Sequence, residues 1–147
     1  MGTDESRRVV LEFFGHLSAG RGREAMALFD DEGTWWVSGK PGVLPLSGTY
    51  GKRELSTIGT LVGAAMPGGI EMTITGTIAE DERVVAEATV YGTSPAGRVY
   101  DNRICFVAEL RGGRIFALRE YFDTIHTNDV LFGNGAAGAS IPSGQSG

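Results

Sequence analysis

Residues Arg98 to Thr127 read RVYDNRICFVAELRGGRIFALREYFDTIHT, which is two long strands meeting at Gly112-Gly113. Strand side chains alternate between faces, so Tyr100, Asn102, Ile104, Phe106, Ala108 and Leu110 share one side of the first strand. Phe116, Leu118, Glu120 and Phe122 share one side of the second. Both faces are apolar except at Asn102 and Glu120. A carboxylate at such a position is costly unless it is hydrogen-bonded, paired or kept neutral by a raised pKa, which makes Glu120 the leading candidate for chemistry. The pairing register matters here. A strict two-residue loop opposes Arg111 with Arg114, an odd sum that puts Glu120 on the wrong side. The expectation is therefore a three-residue loop or a bulge with a glycine in the left-handed region. Glu120 then lies across from Ile104 or Phe106, within reach of Asn102.

Outward from this hairpin, the chain turns to β structure after Pro67. Ile70, Met72, Ile74 and Ile78 alternate with Glu71, Thr73, Thr75 and Thr77, the pattern of a sheet with one buried face. Val84 to Tyr91 has no wet face, which makes Glu87 a second candidate interior carboxylate, with Thr89 and Tyr91 beside it. Upstream, Val9, Val10, Phe13, Phe14 and Leu17 recur at helical spacing over Asp4–Ala19. A short helix is predicted at about 23–29, a turn at Asp30–Gly33, a strand at Thr34–Ser38, a loop at 39–48 and a helix over Tyr50–Met66. Helices gathered first and antiparallel strands after them predict an α+β fold, a strongly curved sheet wrapped over helices around a conical pocket.

At 147 residues, 41% hydrophobic and net charge −5, the chain suits one domain over 1–132, followed by a Gly/Ala/Ser-rich tail at 133–147 expected to be disordered. No basic stripe points to nucleic acid. No apolar run reaches membrane-spanning length, and the N-terminus lacks a signal-peptide pattern. The lone Cys105 suits a reducing compartment, so a cytoplasmic protein is expected. No residue spacing makes a metal site, a phosphate loop or a nucleophile elbow, and no cofactor is implied.

TWWVSG after the second helix, PLSGTYGKREL opening the third and YDNRICFVAELRGGRIFALREYFDT closing the sheet together resemble the SnoaL-like, ketosteroid-isomerase-related branch of the NTF2-like superfamily, over about residues 6–131. The resemblance implies a cone-shaped α+β barrel, commonly dimeric through the sheet's outer face. It also implies several activities and some non-catalytic binding proteins. The places of the ketosteroid isomerase aspartate and tyrosine hold Val37 and Phe13. Those of the limonene-epoxide hydrolase triad hold Thr89, Glu87 and Glu120, with Trp36 and Ser38 at the helper positions. The acid/base carboxylate of SnoaL-type cyclases corresponds to Glu120.

The expected site thus has Glu120, Glu87 and Asn102 as polar working groups. Trp36, Ser38, Tyr50, Thr89, Tyr91, Ile104, Phe106, Phe122 and His126 are its candidate lining. The leading expectation is an enzyme for a small apolar organic molecule. The alternatives are a ligand-binding protein with the same pocket and a protein-interaction module. The odd-numbered hairpin residues Val99, Cys105, Val107, Ile115 and Tyr121 add an apolar outer face that predicts a homodimer. The tail offers no core residue except Ile141, so deleting 133–147 is expected to move the thermal midpoint little. A loss of several degrees in a melting scan would contradict this.

Overall fold

A computed structural model describes residues 2–133; the tail expected to be disordered lies outside the described residues from 134 onward. The chain runs α1 (Thr3–Ser18), α2 (Gly22–Ala27), β1 (Phe29–Val37) and β2 (Gly48–Gly51), then a 3-10 turn (Lys52–Glu54) leading into α3 (Leu55–Ala65). β3 (Glu71–Glu80), β4 (Arg83–Thr93), β5 (Val99–Arg111) and β6 (Arg114–Phe122) follow. A short α4 (Thr124–Thr127) and a π-type turn (Asn128–Phe132) complete it. The six strands form one curved, unclosed sheet in the order β2-β1-β6-β5-β4-β3. Only the β1–β6 pair is parallel. The expected α+β architecture is therefore present.

The central hairpin does turn in two residues. Gly112 and Gly113 both have positive φ, 59° and 81°, as a type I′ turn requires, and Arg111 opposes Arg114. The odd sum is corrected immediately afterwards. Leu110 pairs with Ile115 but Glu109 pairs with Ala117, so Phe116 is an extra, bulged residue. Beyond it Phe106 faces Glu120 and Ile104 faces Phe122, which is the register expected from the apolar pattern. The bulge also exchanges two neighbours. Ile115, expected on the outer face, is fully buried. Phe116, expected inward, lies only half-buried, with the Arg111 guanidinium carbon 3.7 Å from its ring centre.

A second bulge has the same effect in β3. Ile74 pairs with Ala88 but Gly76 with Glu87, so the phase flips at Thr75. Ile78, expected in the buried row, is 74% exposed, and Thr77 and Ala79 turn inward instead. In β1, the acidic cluster Asp30–Glu32 is strand rather than the expected turn: Asp31 and Glu32 are exposed, while the largely covered Asp30 carboxylate accepts from the Glu32 amide. Gly33 is needed there, since a Cβ would lie 2.8 Å from the Phe29 ring and 3.1 Å from the Ile115 carbonyl. The four-residue β2, flanked by glycines, lies where a loop and a helix start were expected.

The core is aromatic at its centre. Phe14 packs on Phe106 with ring centres 4.3 Å apart, and Phe13 contacts Phe14, Phe29 and Trp35 at 5.1–6.0 Å. These contacts seat α1 on the sheet. Each fully buried aromatic contributes about 2–3 kcal/mol by area alone. The bulge makes a test possible. Ile115→Ala is expected to cost about 2–5 kcal/mol in chemical denaturation, and Phe116→Ala distinctly less. The reverse order would mean that the bulge is misplaced.

Candidate functional site

Inside the sheet, α3 and the C-terminal turn close around a narrow cavity of about 80 Å³. Its wall is apolar, built from Val37, Leu46, Ile58, Val62, Ile70, Val90, Ile104, Phe122 and Leu131, and interrupted by three polar side chains: Glu120, Tyr100 and Thr127. The wall at α3 is its most weakly seated part. Leu55 is buried, whereas Ile58, Leu61 and Val62 are only partly so.

Glu120 sits near the end of β6, where its carbonyl accepts a hydrogen bond from the Ser38 amide. The indole Nε1 of Trp35 donates to its Oε1 at 2.9 Å. Burial of the carboxyl raises its pKa to about 7, and the Trp35 hydrogen bond, which favours the charged form, offsets this only in part. A carboxyl poised there can both give and take a proton near neutral pH. Trp35 is the partner that sequence reasoning missed. A signal was available, since Trp36 alternates with the polar Thr34 and Ser38 and Trp35 with the apolar Val37.

Trp36 accordingly lies on the outer face, 5.1 Å from the Tyr121 ring, and does not line the cavity. Glu87, expected inside, is exposed, because it alternates with the buried Ala86 and Ala88. It borders an open groove of about 440 Å³ on the outer face with Thr89, Arg103, Cys105 and Tyr121. Thr89 is exposed too, and Tyr91 is 51% exposed. Ser38 is buried beyond the end of β1, away from the cavity lining, and its Oγ lacks a hydrogen-bond partner among the described residues. Tyr50 is half-buried, with its hydroxyl donating to the Leu46 carbonyl at 2.8 Å. Phe106 is buried opposite Glu120. Of the expected lining, Ile104 and Phe122 face the cavity.

Asn102 is buried as expected, but its partners are not Glu120. Its Oδ1 accepts from the Arg103 amide at 2.8 Å, and its Nδ2 lies 3.1 Å from the Asp123 carbonyl, 3.0 Å from Thr127 Oγ1 and 3.2 Å from the Tyr100 hydroxyl. Asp123 caps α4 by accepting from the His126 amide at 3.0 Å. The His126 ring stacks on Tyr100 at 5.4 Å, and its Nε2 accepts from the Asp101 amide. The strand end, cap and turn thus converge on Tyr100, which lines the cavity. Among the described residues no grouping of three or more His, Cys, Asp or Glu side chains could hold a metal ion, and no helix is long and apolar enough to cross a membrane.

The SnoaL-like domain profile matches residues 10–118. No curated protein matches the sequence. Among solved structures, an NTF2-like protein from Anabaena variabilis ATCC 29413 is 25% identical, with a TM-score of 0.68 over 82% of this chain and 90% of its own. TerC, co-crystallised with polyporic acid, is 18% identical, with a TM-score of 0.78 over 86% of this chain and 98% of its own. A protein described as a SnoaL-like polyketide cyclase, from Jannaschia sp. CCS1, is 13% identical, with a TM-score of 0.73 over 88% and 92%. The last two likenesses speak to fold alone. With the profile spanning most of the chain and the same curved sheet over helices in each neighbour, this chain belongs to the SnoaL-like domain family of NTF2-like proteins.

Proposed function

We propose that residues 1–132 form one domain that binds a small, largely apolar organic molecule in the cavity and moves a proton on it, with Glu120 as the acid/base group. The observation that carries this reading is the Glu120 carboxyl in a mostly apolar wall, held by one indole N–H and poised near pH 7. Carboxyls whose pKa is strongly perturbed by burial in a cleft concentrate at functional sites. Isomerisation, cyclisation, dehydration and hydrolysis each need a proton moved in a dry site. The polyketide cyclase and polyporic acid attached to two structural neighbours fit a ligand of this character. At about 80 Å³ the cavity is small beside the ~300–1,000 Å³ of common ligand pockets. A larger ligand therefore requires α3 to swing outward from its shallow seat. The narrowness of the cavity also favours a second reading, a binding protein without turnover, in which Glu120 only holds the ligand.

The pKa shift makes a stability prediction with a definite sign. The folded-state value, about 7, lies above the ordinary glutamate value of 4.5, so folding takes up a proton between them. The contribution of this group to stability is greatest below about pH 4.5, falls as pH rises to about 7, and changes no further above that. The loss amounts to about 3 kcal/mol. Glu120→Gln is expected to remove this slope and to be the more stable protein at pH 8. On any substrate that the wild type turns over, it is expected to lose about 10²-fold or more in rate. Carboxyl ¹³C titration checks the premise, and a Glu120 midpoint near 4.5 would end the proposal.

The outer face supports a homodimer. Tyr91, Val99 and Tyr121 are 51%, 45% and 42% exposed, on a sheet whose other side is already the core. Sedimentation at micromolar concentration is expected to give a dimer, and a monomer would refute it.

A further inference from the structure

Asn102, Tyr100, Thr127 and the Asp123 carbonyl make a closed polar knot, of which Tyr100 and Thr127 line the cavity. Five contacts join them: Asn102 Nδ2 to the Asp123 carbonyl, to Thr127 Oγ1 and to the Tyr100 hydroxyl, Tyr100 to Thr127 at 3.0 Å, and Thr127 Oγ1 to the Asp123 carbonyl at 3.0 Å. Only four protons are available, two amide and two hydroxyl. The orientation of the amide is fixed, since its Oδ1 accepts from the Arg103 amide. One amide proton serves the Asp123 carbonyl, which can accept from Thr127 Oγ1 as well. The other is shared between the two hydroxyl oxygens.

The phenolic proton is the redundant one, because its acceptor, Thr127 Oγ1, already receives from Asn102. If Tyr100 turns its proton into the cavity, Thr127 can turn its own onto the phenolic oxygen, and the Asp123 carbonyl keeps its Asn102 donor. No buried group is left unpaired, so the usual penalty for breaking a buried network does not arise. In that second arrangement Tyr100 accepts and donates at once, which strengthens its donation.

We infer that Tyr100 is the group that reads a ligand oxygen in this cavity, through a phenolic proton that Thr127 and Asn102 free for the purpose. Asn102 is a positioning residue, because both its amide protons are committed to protein acceptors. Burial keeps the phenol protonated, with its pKa raised first by desolvation and further by the Glu120 and Asp123 carboxylates. It therefore donates at pH values where an ionised Glu120 can only accept. The ligand class follows: a compact molecule, mostly hydrocarbon, carrying one acceptor oxygen such as a ketone or aldehyde carbonyl. This rests on the cavity being the ligand site proposed above.

The test uses two probes of matched shape, 2-butanone and 2-methyl-1-butene, at about pH 8.5, where Glu120 is ionised and cannot donate. The ratio of ketone to alkene affinity, which also carries the cost of desolvating the carbonyl, is expected to be about 5- to 10-fold higher in the wild type than in Tyr100→Phe, the size of one neutral hydrogen bond. The wild type is also expected to lower the carbonyl stretching frequency relative to alkane solution. Tyr100→Phe keeps the ring that stacks on His126 and leaves Asn102 and Thr127 with the Asp123 carbonyl, so it is expected to fold. It should lose that factor in the ketone-to-alkene ratio and return the stretch towards its alkane value. An unchanged affinity ratio and stretch in Tyr100→Phe would overturn the assignment, as would a carbonyl stretch in the wild type equal to its alkane value. The Glu120 titration is measured independently of either probe, so a Tyr100 failure leaves that result standing, and a Glu120 midpoint near 4.5 leaves the probe result standing.

Discussion

One extra residue, Phe116, decides which side of the sheet carries the chemistry. The Gly112-Gly113 turn sets β5 and β6 in a register that would direct Glu120 to the outer face, and the bulge shifts β6 by one position before that happens. Because strand side chains repeat every two residues, that single insertion exchanges inner and outer faces for the rest of the strand. Ile115 falls into the core, Phe116 goes out beneath Arg111, and Leu118 and Glu120 point inward. Everything built on β6 depends on this, including the parallel docking of β1 that brings Trp35 alongside.

Trp35 and Glu120 then balance each other without cancelling. The indole can donate but not accept, so it favours the ionised carboxyl, while burial disfavours it more strongly. A cation in place of the indole would hold the carboxyl ionised through neutral pH, and an apolar neighbour would leave it neutral well above pH 7. The intermediate poise follows from having one neutral donor in an apolar enclosure. The same aromatic group that supplies this donor, Phe13, Phe14, Trp35 and Phe106, also packs α1 onto the sheet, so the site and the core share residues.

The position of Glu120 was legible because a carboxylate between Leu118 and Phe122 contradicts its own strand pattern, and such contradictions are expected where function costs stability. Asp123 as a cap was legible as well, since alternation turns it from the cavity and Thr124 begins a turn. Glu87 misled for a physical reason. Val85, Glu87, Thr89 and Tyr91 read as a second apolar face only if aliphatic and aromatic residues are taken as buried, whereas much of any protein surface is apolar. Trp36 misled because two adjacent tryptophans leave the inner face of a short strand undecided until Thr34 and Ser38 are weighed with it.

By itself the sequence determined the α+β order, the apolar row of β5 and β6, and the demand that Glu120 face inward, because these rest on local periodicity and on the cost of burying a charge. It also required a three-residue loop or a bulge, by the parity of the two strands, and the structure uses a bulge. Tertiary structure decided where that bulge falls, that a second one turns Ile78 out, and that Gly48–Gly51 pairs as a strand. It decided, too, that Glu120 answers to Trp35 and Tyr100 to Thr127, partners 85 and 27 residues apart in the chain. No local pattern encodes such pairs, since they form only when the curvature of the sheet and the docking of β1 and the C-terminal turn bring distant side chains to one cavity.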